Sequence, residues 1–176
     1  MHVVLIERVA LAYLAELDVL EGRPQDAVTR LHPVTAGHAA PVTEDLTWSY
    51  AVALLSVLAA AHLELGDLQR ARAYAGRAVA EARRIDAWVQ GIRALEVQGM
   101  VQAREGHHDL ARAAYEEGLN RARVMPFPYG QARLLYAHGL LDHQKADKTA
   151  AQAKFADALA IFENLGTDKT PADSAG

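Results

Sequence analysis

Apolar residues recur at intervals of three and four along most of the chain. Examples are Leu54, Leu55, Leu58, Ala61 and Leu65, with His62 in the same stripe, and later Ala151, Phe155, Ala158, Leu159 and Phe162. Because an α-helix turns once in about 3.6 residues, this spacing gathers them on one helical face. No segment alternates with a period of two, so no strand is expected. Helices are expected over 3–21, 24–36, 44–65, 68–84, 87–105, 109–124, 129–145 and 148–165. Turn residues fall between them. Gly22 and Pro24, Gly66 and Asp67, Ala146 and Asp147 each end one helix and start another, since glycine tolerates the left-handed conformation, proline suits a first turn and aspartate caps. Thr43, Asp86 and Pro126 to Pro128 mark the remaining breaks.

A shift of forty residues lays the pattern on itself. It aligns Ala59 with Gly99 and Gly139, Ala71 with Ala111 and Ala151, and Ala75 with Tyr115 and Phe155. The same shift aligns Ala78, Gly118 and Ala158, then Val79, Leu119 and Leu159, and the tryptophans Trp48 and Trp88. A further unit lies upstream across a spacer four residues longer, with Gly22 matching Gly66 and Ala27 matching Ala71. Such a period predicts stacked helix pairs, each burying against its neighbour a face it cannot bury alone. The small-residue columns have a mechanical reason: two helix backbones approach to about 8 Å only where the contact carries glycine or alanine. Residues 1–166 therefore read as one all-α repeat domain of about four helix pairs, and 167–176 as a polar, aperiodic tail.

These columns resemble a tetratricopeptide repeat. The small residue of its first helix matches Ala59, Gly99 and Gly139, and its alanine and aromatic residue four apart match Ala111 with Tyr115 and Ala151 with Phe155. The second unit departs, with Ala75 in the aromatic slot, and the period is forty rather than thirty-four. The longer form is similar to the carboxyl-terminal repeat arrays of bacterial ATP-dependent transcriptional regulators of the LuxR type, the maltose-regulator group included. That likeness is sharpest from Met125 to Arg133 and from Ala158 to Gly166. It implies an α-solenoid with a right-handed superhelix whose inner groove receives a protein, a peptide or a small effector. It also implies that the groove is built from first helices. The expected lining is Ala53, Ser56, Ala60, Leu63 and Glu64, then Arg93, Glu96, Met100, Ala103 and Arg104, then Arg133, Tyr136, Leu140, His143 and Gln144. Arg93, Arg133 and Tyr136 are the residue types most often found as binding anchors. The plainer reading pairs Arg93 with Glu96 on its own helix and has Tyr136 cover core.

Composition narrows the classes. The chain has 176 residues, 51% of them hydrophobic and about one in five alanine, which suits a single domain of closely packed helices. It has no cysteine, which removes disulfides and thiol chemistry and fits a cytoplasmic protein, and no apolar run reaches the roughly 18 residues that would span a bilayer. The net charge of −4 divides into −6 over residues 1–69, +4 over 70–133 and −2 over 134–176. Direct nucleic-acid binding is not expected. Its only footing is Arg70, Arg72, Arg77, Arg83 and Arg84, on a second helix.

No enzymatic constellation emerges. Glu44 with Asp45 and Glu116 with Glu117 are sequence neighbours, and adjacent helical residues point about 100° apart. His107, His108 and Asp109, like His138, Asp142 and His143, lack a zinc-binding spacing, and no phosphate loop is present. A non-catalytic binding module without cofactor or metal is the expectation. The alternative is a free-standing scaffold. Val3, Val4, Leu5 and Ile6 form an apolar amino end with no polar capping helix before it. That end suggests either a piece of a larger regulator or a homodimer through this end.

Overall fold

The computed structural model describes residues 2–35 and 49–166, and all of the regular structure there is helical. The helices are α1 (His2–Leu20), α2 (Pro24–Thr35), α3 (Ser49–Glu64), α4 (Leu68–Arg84), α5 (Trp88–Arg104), α6 (His108–Val124), α7 (Pro128–Gln144) and α8 (Lys148–Asn164). Most ends fall within a residue or two of those expected. The expected residues 44–48 of the third helix, the cap at Thr43, Trp48 and the tail 167–176 lie outside the described residues, as do the side chains of Val3 to Ile6. Among the described residues no helix is long and apolar enough to cross a membrane.

Local chemistry sets the helix ends. Asp67 accepts a hydrogen bond from the Arg70 backbone N–H at 3.0 Å, and Asp147 from that of Ala150 at 3.1 Å. Each satisfies a donor that the first turn leaves without an intrahelical partner. Gly22, Gly66, Gly106 and Gly166 close helices with positive φ, and Ala146 takes the same left-handed conformation at φ 62°.

Each helix packs on the next, and α1, α3, α5 and α7 also touch in succession. The seams use the small-residue columns. Ala71, Ala111 and Ala151 are all buried, and Gly99 and Gly139 lie under the rings of Tyr115 and Phe155. In the second unit, Ala59 shares a cluster with Ala71 and Ala75. The ring missing at position 75 arrives from Tyr74, which stacks on His62 with centroids 5.5 Å apart.

A second column is polar, buried at Asp18, His62 and Asp142 and half-buried at Gln102. Asp18, His62, Gln102 and Asp142 stand in equivalent places near the ends of α1, α3, α5 and α7. Asp18 is held by Arg23 at 2.9 Å and Arg30 at 2.7 Å, and Asp142 by Lys154 at 2.6 Å. Each carboxylate thus fastens the two helices of its own pair together. The Asp18 carboxyl is held below its ordinary range, chiefly by the hydrogen bond from Arg30.

Candidate functional site

The face formed by α1, α3, α5 and α7 contains a hollow of about 420 Å³. Its walls come mainly from residues three, four or seven apart, as one helical face requires. Val19 and Leu20 come from α1, and Ala60, Leu63 and Glu64 from α3. Arg93, Glu96, Met100, Ala103 and Arg104 come from α5; Arg133, Tyr136, Leu140 and Gln144 come from α7. Tyr115 of α6 reaches the floor between them. A smaller hollow of about 150 Å³, lined by Tyr13, Glu16, Tyr50, Ala53 and Arg93 among others, lies next to it.

An ion-pair cluster lies beside both hollows. Glu96 Oε1 receives the Arg133 Nε at 3.1 Å and faces Arg93 Nη1 at 3.0 Å. Glu16 of α1 reaches across to Arg93 Nε at 3.1 Å and to Arg133 Nη1 at 3.4 Å. Tyr129 completes the Arg133 shell with its hydroxyl at 3.3 Å and its ring 5.7 Å from the guanidinium. Two cations face two anions, so the cluster is neutral within itself. Burial pushes the Glu96 carboxyl up, but Arg133 and then Arg93 outweigh it and hold the group below the usual carboxylate range. Burial and the Glu96 charge together push the Tyr115 phenol up. Desolvation lowers both His62 and His138.

Seven of the eight groove residues expected from the sequence, Arg93, Glu96, Met100, Arg104, Arg133, Tyr136 and Leu140, line the larger hollow. His143 does not; it is exposed. Its counterpart Ala103 packs toward α7, whereas α7 has no such successor among the described helices, so the same column turns to solvent. Ser56 also departs from the expected lining. It is fully buried and donates its hydroxyl to the Val52 carbonyl at 2.7 Å. Arg93 does pair with Glu96, as the plainer reading had it. Arg133 is buried in the wall rather than free, and Tyr136 lies against Phe155 with ring centroids 5.6 Å apart. The sequence reading missed Glu16, one of three acids in α1 with Glu7 and Asp18, and nothing in its spacing hints at a partner 117 residues away.

The charged groups at the mouth behave differently. Arg104 and Glu64 are exposed and have no ion pair among the described residues. The basic stripe on α4 is mostly spoken for, with Arg70 on Asp67, Arg72 on Glu105, Arg83 on Glu117 and Arg84 on Glu81. Among the described residues no group of three or more His, Asp or Glu side chains could hold a metal ion. Chemically, the arrangement offers an apolar cleft with a neutral ionic wall and a polar rim. No protein-family model matches the chain, and no curated protein matches it in sequence.

Proposed function

We propose that this chain is a non-catalytic binding module, a tetratricopeptide-like α-solenoid of four helix pairs with a right-handed superhelix. Its proposed place is the sensor or protein-interaction region of a larger bacterial transcriptional regulator of the LuxR, maltose-regulator-like type. Its ligand is a peptide segment or a small effector held in the hollow. The observation that carries this reading is the 420 Å³ hollow itself, walled by alternate helices of all four pairs. That volume falls within the range of about 300–1,000 Å³ typical of small-molecule sites, and a mostly apolar lining with a few polar groups is their usual chemistry.

The neutral cluster shapes what binds. An anion that sought Arg93 or Arg133 would first have to displace Glu16 or Glu96, so those arginines are poor independent anchors. Leu63, Met100, Tyr136 and Leu140 supply apolar contact, and Arg104, Glu64 and Gln144 orient the ligand at the rim. A ligand touching α1, α3, α5 and α7 together favours one curvature of the stack over others, and so biases whatever is joined to it by population shift. The test is a thermal-shift screen of the chain against metabolite and peptide panels, followed by calorimetry on the hits. Met100→Trp and Leu140→Trp fill the hollow from its edge and are expected to abolish binding while leaving the melting temperature unchanged. Hits unaffected by both substitutions would place the ligand elsewhere and sink this reading.

A further inference from the structure

The floor of the larger hollow carries a polar group that packing does not need. Tyr115 is 2% exposed, and its ring lies across Gly99 and beside His138, with ring centroids 5.7 Å apart. Forty residues on, Phe155 lays its ring across Gly139 in the same way and has no hydroxyl. The ring therefore does the packing, and the oxygen is an addition to it. Among the described residues that oxygen forms no hydrogen bond. Other hydroxyls of the stack have partners: Tyr50 accepts from Arg8 at 3.3 Å, Tyr129 from Arg133 at 3.3 Å, and Ser56 donates to the Val52 carbonyl. Nor is the Tyr115 oxygen sealed inside protein, as Gln102 Oε1 and His138 Nδ1 are. Tyr115 lines the hollow, so its hydroxyl opens there. A buried donor left without an acceptor destabilises the fold, and an acceptor brought in from outside removes that cost.

We propose that the hollow takes a small uncharged molecule with an apolar body, which presents a carbonyl oxygen to the Tyr115 hydroxyl. This inference rests on the hollow being the ligand site, as proposed above. Three observations set the chemistry. Burial and the Glu96 charge keep the proton on the phenol, so the group stands there as a donor. Glu96 lines the same hollow and opposes a carboxylate at that point, while Arg93 and Arg133, the cations that could offset it, are already paired with Glu16 and Glu96. The nearby lining of Met100, Ala137, Leu140 and Leu141 is apolar and suits a hydrocarbon body. A small molecule fits this floor better than a peptide. One donor satisfies one acceptor, whereas a peptide backbone brings an N–H along with nearly every carbonyl.

Acetophenone, benzoate and toluene share one ring and differ in carrying an uncharged carbonyl, a carboxylate and neither. Titration of each into the full chain, followed by NMR at the amides of Met100 and Leu140, tests the proposal. Acetophenone is expected to bind about five- to tenfold more tightly than toluene, the worth of one neutral hydrogen bond. Benzoate is expected to bind more weakly than either. Tyr115→Phe keeps the ring that Phe155 shows to be sufficient. Its urea midpoint is expected to hold or rise, and its affinity for acetophenone to drop to that for toluene. Four results would overturn the proposal: a lowered midpoint in Tyr115→Phe, which would give the hydroxyl a partner within the protein; acetophenone no tighter than toluene; an acetophenone preference that survives Tyr115→Phe; or benzoate binding best. In each case the hollow still stands as a site so long as toluene moves both amides. If no probe moves either amide, the site falls together with its ligand.

Discussion

Glu96 holds the buried Arg133 and the half-buried Arg93 through a single oxygen, so its loss leaves both with only Glu16 to balance them. Removing one partner of a buried pair costs about 3–5 kcal/mol, because the cost is that of an uncompensated charge. Glu96→Ala is expected to lose that much in urea unfolding, and adding Arg133→Met to recover part of it. The buried histidines make a different prediction. Desolvation puts the folded pKa of His62 and His138 below the ordinary 6.5, so the unfolded chain binds protons first as pH falls. Stability is whole above about 6.5 and declines as pH drops below it. Melting temperature is expected to fall between pH 7 and pH 5, ahead of the carboxylate range, and to flatten in a His62→Gln, His138→Gln double variant. At this scale the sequence was only half legible. Arg93 and Glu96 sit three apart on one helix and announce their pairing. Arg133 and Glu16 give no such sign, because only the assembled stack brings them together.

At the scale of helices, spacing and punctuation carried nearly everything, since each unit repeats the same local problem. Glycine shows how far that goes. A Cβ at Gly99 would enter the ring of Tyr115, and one at Gly139 would come within 2.7 Å of Phe155 Cε1. Tyr115 is fully buried and cannot swing aside. Gly76 is also within a helix but meets nothing within 4 Å. Alanine is favoured over glycine in a helix by about 1 kcal/mol, so Gly76→Ala is expected to stabilise by that amount. Gly99→Ala and Gly139→Ala are expected to destabilise by about 1–3 kcal/mol, the usual range for overpacking. Chemical denaturation of the three variants reads out the sign. Ala146 supplies the converse case, an L-residue at φ 62° where its counterparts are Gly66 and Gly106. Ala146→Gly is expected to raise stability by about 1 kcal/mol by relieving the left-handed strain. What the pattern could not show is the substitute ring at Tyr74, because a contact made from the neighbouring position breaks the column that periodicity relies on.

For the whole molecule, contacts between successive helices account for most of what joins the units, and those were foreseeable from the repeat. The bridge from Glu16 to Arg133 was not; it ties the first helix to the seventh across 117 residues. An array joined only through nearest neighbours can fray from either end, each pair melting at its own temperature. A strut between distant members makes opening one end cost the other something as well. Glu16→Gln weakens that strut without emptying the cluster. Hydrogen exchange is then expected to speed up in α1 and α2 ahead of α5 to α8, and calorimetry to broaden toward two transitions. One carboxylate is thus expected to set whether the eight described helices melt as a single body or unravel piecemeal.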